Sequence, residues 1–281
     1  MGRRKKKGYL HIVTWGMAVL CLFLVAACAA CIGKDVQKGI EKGPEGEGEH
    51  SLPGSGISDD ELSQKYYYQQ LEDGEKQAYK EIVQGVKENV EEIYVHASDA
   101  DRTNMLFQYV LKDFPEIFWC DGMTTSTSYE GSEAYTVLKP VYLYDAGQKE
   151  AMKAKIEASV NECLASMPAK DTDYQKILYV YEYIVNTVDY DLEAADNQNI
   201  YSVFVNRRSV CAGYSKATQY LLERLGVFCT YVTGTTLDGQ SHAWNLVRCS
   251  GNYYYVDTTW GDPVFQAAEG EEVNQQQNDQ L

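Results

Sequence analysis

The chain has 281 residues, room for one large or two small domains, and carries 41 Asp and Glu against 25 Lys and Arg. Five of the basic residues (Arg3, Arg4, Lys5, Lys6, Lys7) cluster at the N-terminus and residues 1–28 hold no acid, so the remainder has 20 basic and 41 acidic residues, a net charge of −21. A body that acidic argues against nucleic acid and anionic headgroups as partners, since both require clustered Lys and Arg. The 44% of apolar residues and 23 tyrosines exclude a disordered polymer.

Gly8 to Gly33 contains no charged residue, and Ile12 to Ile32 is long enough to cross a bilayer, which takes about 20 residues. Basic residues stay on the cytoplasmic side, so the bulk of the chain is expected on the extracytoplasmic face of the cell membrane. Val25-Ala26-Ala27-Cys28, small residues before a cysteine at the end of an apolar run, resembles the bacterial lipobox. That resemblance implies cleavage before Cys28 and its acylation. Cys31 is a weaker candidate, because Cys28 would then fill the bulky-aliphatic position, and an uncleaved signal anchor is the competing reading. Either way the body is tethered to the membrane. The Cys28-x-x-Cys31 spacing mimics a redox pair, which its place inside an export segment makes a coincidence. Residues 1–33 are thus the signal peptide or lipoprotein export segment. Residues 34–57 are a disordered linker: eight are Gly or Pro, eight are charged and only four are aliphatic.

Folding is expected to start at Ser58-Asp59-Asp60-Glu61, which reads as a helix capping box. Residues 75–90 follow a helical stripe through Tyr79, Ile82, Val83 and Val86; 92–97 alternate like a strand; 101–112 are helical and end before Phe114-Pro115. Residues 117–144 hold two or three strands, and 146–167 form a long helix that stops at Pro168. The stretch 58–168 is read as an α/β accessory region with no chemistry of its own, and its single histidine, His96, is read as structural.

The rest, 169–281, reads differently. Residues 171–189 are helical, with Asp171 as cap and Ile177, Leu178, Tyr181, Ile184 and Val185 on the buried face. After a polar loop at 191–199, a helix pattern runs from Cys211 to Leu225 and is stopped by Gly226. Strand patterns follow at 227–234, 241–249 and 252–260. A helix beginning with cysteine and followed by an antiparallel meander is an α+β arrangement.

Cys211 would sit at a helix N-terminus, where the dipole and free N–H groups favour a thiolate and can bind a developing oxyanion. Gly213 is expected to leave room for close approach beside the thiol. A cysteine nucleophile needs a base. His11 lies in the export segment, His50 in the linker and His96 in the accessory region, which leaves His242. The turn between the last two strands lies within Cys249-Ser250-Gly251-Asn252. A Ser250-Gly251 loop pairs Cys249 with Asn252 and puts Asp257 one diagonal step from His242; a Cys249-Ser250 loop puts the two directly opposite. Both keep them on one face, whereas a three-residue loop separates them. Asp257 would then fix the imidazole tautomer. The opposite face, with Ala243, Val247, Tyr254, Val256 and Trp260, is expected to meet the core.

The stretches Ser209-Val-Cys211-Ala-Gly-Tyr-Ser, Gly234 to Ser241-His242-Ala-Trp-Asn, and Tyr254-Tyr-Val-Asp257-Thr-Thr-Trp260-Gly-Asp-Pro263 resemble the transglutaminase-like superfamily, which has a papain-like core. The resemblance covers about residues 171–263, with three motifs in order. It implies Cys211 as nucleophile, His242 as base and Asp257 as orienting acid. Gly261 stands where bacterial members often have a second aspartate. Ile200-Tyr-Ser-Val-Phe also resembles family sequence, but no motif there fixes a side-chain oxyanion donor, and Tyr201 is only a guess. The family fold usually continues with further strands, whereas this tail reads as loop; either the strands are missing, leaving an exposed edge, or the sequence is a fragment.

Three functions follow as expectations. The first is an extracytoplasmic cysteine enzyme acting on peptide or protein amides, such as cell-wall peptides or surface proteins, through a thioester, with hydrolysis favoured over crosslinking. The second is a non-catalytic module of the same fold that binds peptides or surface proteins. The third is a disulfide-supported lipoprotein using Cys120, Cys163, Cys211, Cys229 and Cys249. No Cys/His spacing suits zinc and no calcium loop is present, so no metal or cofactor is expected.

Overall fold

The structure is a computed structural model and describes residues 41–42, 56–97, 99–130, 134–168, 172–237 and 239–261. The export segment with Cys28 and Cys31, most of the linker, Asp171 and everything from Asp262 onward lie outside these residues. Among the described residues no helix is long and apolar enough to cross a membrane.

Ser58 and Glu61 exchange both capping-box hydrogen bonds, Ser58 N–H to Glu61 Oε2 (2.8 Å) and Glu61 N–H to Ser58 Oγ (3.3 Å). The helix expected to follow them does not form there. The N–H groups of Leu62, Ser63 and Lys65 close on carbonyls three residues back, a run of tight turns. The first helix, α1 (Tyr66–Gln69), starts only where a tertiary acid can cap it: the Asp113 carboxylate accepts from Tyr67 N–H (3.0 Å) and Tyr68 N–H (2.9 Å).

The rest of the first half follows its local signals. A short strand, β1 (Glu41–Lys42), precedes α1. Helix α2 (Asp73–Lys87) begins with a Glu72/Glu75 capping box and buries Tyr79, Ile82, Val83 and Val86. Strand β2 (Ile93–Val95) leads to α3 (Ala100–Asp113), where Asp99 accepts from Arg102 N–H. Strands β3 (Cys120–Glu130) and β4 (Tyr135–Tyr142) form an antiparallel hairpin with β2 on its far side; β1 adds a two-residue parallel pairing to β3. Helix α4 (Ala146–Ser166) starts on an Asp145/Gln148 capping box and ends before Pro168.

Helix α5 (Asp173–Thr187) is capped by Thr172, whose hydroxyl accepts from Gln175 N–H, rather than by Asp171. Its buried stripe runs through Val180 and Ile184 with Ile177 half-buried, whereas Leu178 is exposed, a step of one residue from the face expected. Strand β5 (Asp189–Tyr190) pairs parallel with β6 (Arg208–Ser209), and between them lies a π-helical turn, Ser202–Asn206, that the pattern does not reveal. Helix α6 (Cys211–Arg224) is buried on nearly every side and packs on an antiparallel meander of β7 (Cys229–Thr235), β8 (Ser241–Cys249) and β9 (Asn252–Val256), in that order. This is an α+β fold, a cysteine-bearing helix on an antiparallel sheet. One hydrophobic core runs through both halves, from Tyr79 and Phe107 to Val180, Phe204, Tyr214 and Val247.

Candidate active site

Ser250 (φ 50°) and Gly251 (φ 81°) both take left-handed backbone conformations, which is the two-residue turn suited to a twisted hairpin. Cys249 therefore pairs with Asn252 and Asn245 with Val256. In that register Asp257 falls one diagonal step from His242, the first of the two arrangements the sequence leaves open. The contact is made: His242 Nε2 lies 2.7 Å from Asp257 Oδ2. β9 ends at Val256 because Asp257 bends the chain, its Oδ1 accepting from Thr259 N–H (3.0 Å) and Trp260 N–H (3.2 Å). One carboxylate thus holds the imidazole with one oxygen and its own turn with the other.

Cys211 is the first residue of α6, half-buried, while the other described cysteines (Cys120, Cys163, Cys229 and Cys249) are buried; all five are free. The disulfide-supported reading has no bridge among them, and Cys229 pairs with Val247, not with Cys249. Val210 supplies no side-chain cap, and the first turn of α6 contains no acid. Two hydrogen bonds fix this helix to the chain around the histidine–aspartate pair, and a third fixes it to the end of α5. Asn245, three residues after His242, donates from Nδ2 to the Ser215 carbonyl (2.9 Å); the hydroxyls of Thr258 and Thr218 meet at 3.2 Å; and Tyr214 donates to the Val188 carbonyl (2.6 Å). The nucleophile candidate is also tied to β7, the strand on which Gly234 pairs with His242: burial first, then the Cys211 thiol, hold the Tyr231 hydroxyl above the ordinary phenol range.

Three expectations change. Gly213 does not open space beside the thiol, because a Cβ there would lie 2.0 Å from Ser209 Oγ and 3.0 Å from the Asn197 carbonyl; the glycine lets the 197–209 loop close on the helix. Tyr254 (52% exposed) and Trp260 (71%) do not face the core: β9 is the outer strand of the sheet among the described residues, and the chain turns after Val256. Trp260 stacks on His242 instead, with centroids 5.4 Å apart and planes at 25°, and Trp244 lies near-parallel at 5.8 Å. Tyr201, the guess for an oxyanion donor, packs its ring against Phe118. The tyrosine whose ring lies on Tyr214, in the first turn of α6, is Tyr190 (centroids 6.2 Å), and sequence reasoning passes over it because it lies in a two-residue strand with no periodicity to mark it. Gly234, which opens the second family-like stretch, has a packing reason that the pattern does not reveal: a Cβ there would meet Trp244 Cη2 at 2.5 Å, so the glycine makes room for the indole across the strand.

Among the described residues no group of His, Cys, Asp and Glu is arranged to hold a metal ion. The arrangement provides a thiol at a helix N-terminus and an imidazole whose Nε2–H is taken by a carboxylate, leaving Nδ1 for proton transfer.

Residues 163–258 match the family model described as the Transglutaminase-like superfamily. This part of the chain is a transglutaminase-like domain. The transglutaminase-like match contains Cys211, His242 and Asp257. Among curated proteins, the chain is 24% identical over 136 residues to the kyphoscoliosis peptidase of Mus musculus, covering 42% of this chain and 21% of that protein. It is 26% identical over 106 residues to the Homo sapiens protein of the same name, covering 32% and 16%. The match therefore spans about a fifth or less of those relatives' length. Among solved structures, one described as a crystal structure of a TGase aligns over 66% of this chain and 55% of its own, at 12% identity and a TM-score of 0.36.

Proposed function

We propose that this chain is an extracytoplasmic, membrane-tethered cysteine enzyme that transfers acyl groups from peptide or protein amides through a thioester. The observation that carries the reading is the 2.7 Å bond between His242 Nε2 and Asp257 Oδ2, made beside a helix that presents Cys211 at its N-terminus. With Nε2–H donated to the carboxylate, Nδ1 accepts the thiol proton, and the Sγ electron pair attacks the amide carbonyl. The tetrahedral intermediate collapses as Nδ1–H is given to the leaving nitrogen. The C–N bond breaks, a thioester remains on Cys211 and an amine departs. Water, deprotonated by the same nitrogen, then releases an acid and restores the thiol. An amine in place of water gives a new amide. Hydrolysis is the favoured outcome because water needs no second binding site. The uncharged run 8–33 behind a basic cluster supports export and the tether, by a lipid on Cys28 or an uncleaved anchor, and with that tether cell-wall peptides or surface proteins are the substrates proposed.

A non-catalytic peptide-binding role is the second reading, favoured by the exposed aromatic side chains of Tyr253, Tyr254, Tyr255 and Trp260 along the edge strand and the turn after it. Site-resolved alkylation of the domain across pH separates the two. Burial pushes the Cys120 thiol up to about 11 and Cys229 well above its usual value, so both stay silent in the folded protein. The enzyme reading expects rapid labelling of Cys211 that persists below pH ~7, where an ordinary thiol (near ~8.5) is mostly protonated, and that is lost in His242→Ala. Labelling of Cys211 that ignores His242 leaves the binding module as the function.

A further inference from the structure

A cavity of about 490 Å³ opens between the end of α2, helix α4 and the last turns of α6. Tyr220, Glu223 and Arg224 line it from α6. At ~1.5 Å per residue, they lie about 14 to 20 Å along the helix axis from Cys211, so the cavity is separate from the candidate active site. Its buried wall is apolar, made of Phe118, Trp119, Ile156 and Ile200. Size and wall are those of a small-molecule site.

One charge is buried in that wall. Lys149 is 8% exposed and lines the cavity. Its Nζ donates to the Lys87 carbonyl (2.9 Å) and to Asn89 Oδ1 (2.6 Å), and the Trp119 ring centroid lies 4.7 Å away. Both acceptors are neutral, and an ammonium has a third donor. A buried cation without an ion-pair partner is costly. Burial, against the pull of Glu150, accordingly holds the Lys149 ammonium below the ordinary lysine range. Around the mouth the charges are mixed. Arg224 is committed to Glu157 (2.6 Å) and Glu223 to Lys65 (2.8 Å). Lys87, Lys153, Glu116 and Glu150 enter no ion pair among the described residues. A bare anion drawn to Lys149 would meet the two glutamates as like charges, whereas a molecule with both signs satisfies each side.

We propose that this cavity binds a small zwitterion with an apolar body, an α-amino acid or a dipeptide. Its carboxylate sits on Lys149, its side chains lie against Trp119, Ile156 and Ile200, and its ammonium faces the glutamates of the mouth. The assignment does not depend on what Cys211 does.

The test is isothermal titration calorimetry with L-leucyl-L-leucine, on the full chain carrying Cys211→Ala so that the probe is not turned over. The dipeptide is expected to bind. Its C-terminal amide and its N-acetyl derivative, each lacking one charge, should bind at least ~10-fold more weakly. Lys149→Met should weaken the dipeptide by a similar factor and leave the weak binding of the amide unchanged. Loss of the bonds to Lys87 and Asn89 alone would not discriminate between the two probes. If that variant does not fold, Lys153→Glu, which reverses an exposed charge at the mouth, should weaken the dipeptide about 2- to 5-fold. Absence of binding overturns the assignment. So does dipeptide binding that ignores both lysines, which would place it elsewhere on the protein. Equal binding of the amide overturns it as well, and so does inorganic phosphate binding as tightly as the dipeptide, the result expected of a simple anion site.

Discussion

His242 has two ring nitrogens, and the fold assigns them different tasks. Nε2 meets Asp257 Oδ2 at 2.7 Å, so the proton on that nitrogen is held by the acid and the lone pair sits on Nδ1. The other carboxylate oxygen is occupied by Thr259 and Trp260 N–H groups, so the acid cannot swing away without opening its turn. Asp257→Asn separates charge from geometry. The amide oxygen can keep the turn, but the NH₂ then faces Nε2 and favours the tautomer with its proton on Nδ1, the wrong place for a base. Acylation of Cys211 by p-nitrophenyl acetate is expected to fall by about 10²-fold or more, with the unfolding midpoint in urea almost unchanged. A variant that keeps its rate removes Asp257 from the mechanism, and a large loss of stability instead makes it a turn residue.

At the scale of elements, the site depends on how three strands and one helix are held in register. Gly234 pairs with His242, and the Trp244 indole lies across it where any Cβ would intrude, at 2.5 Å. Gly234→Ala therefore pushes Trp244 off the strand and disturbs its near-parallel contact with His242. The overpacking should lower stability by about 1–3 kcal/mol and slow His242-dependent alkylation of Cys211. A variant as stable and as reactive as wild type would mean that the indole has another resting place. The hairpin that builds the pair was legible in the sequence: Ser250-Gly251 has the chemistry of a tight turn, and counting back from it puts His242 and Asp257 on one face. The helix start at Cys211 was legible too, as one periodic stretch bounded by Gly226. The roles of Trp260, Tyr190 and Gly213 were not. Strand alternation assigns Trp260 to the core, but the alternation ends at Val256, where an aspartate side chain bends the backbone. Tyr190 and Gly213 depend on a loop, residues 191–209, whose path is set by the π-helical turn and by contacts distant in sequence. Local periodicity carries no information about either.

Across the described residues, the first half is locked to the half that carries Cys211 and His242 through α1, and α1 is locked by Asp113. Lys65, just before that helix, pairs with Glu223 on α6 (2.8 Å), and the Tyr67 hydroxyl donates to the Tyr231 carbonyl on β7 (2.8 Å), the strand beside Cys211. Four residues are too few for an isolated helix to persist. What holds α1 is the Asp113 carboxylate, 1% exposed, which accepts from Tyr67 N–H, Tyr68 N–H and the Tyr79 hydroxyl (2.7 Å). Burial outweighs these donors and raises the Asp113 carboxyl above its ordinary value. A raised folded-state value means that the native form binds the proton more tightly than the unfolded chain. The stabilisation from this group is then complete below the unfolded value near ~3.9 and is lost as pH rises through the raised one. Asp113→Asn, neutral at every pH, lacks that dependence. The stability of wild type relative to Asp113→Asn, from urea unfolding, should therefore be greatest near pH ~4 and decline as the solution becomes neutral. A difference that instead grows with pH would mean that the three donors hold the ionised carboxylate more tightly than burial opposes it, and that α1 and its links to α6 and β7 are anchored by charge.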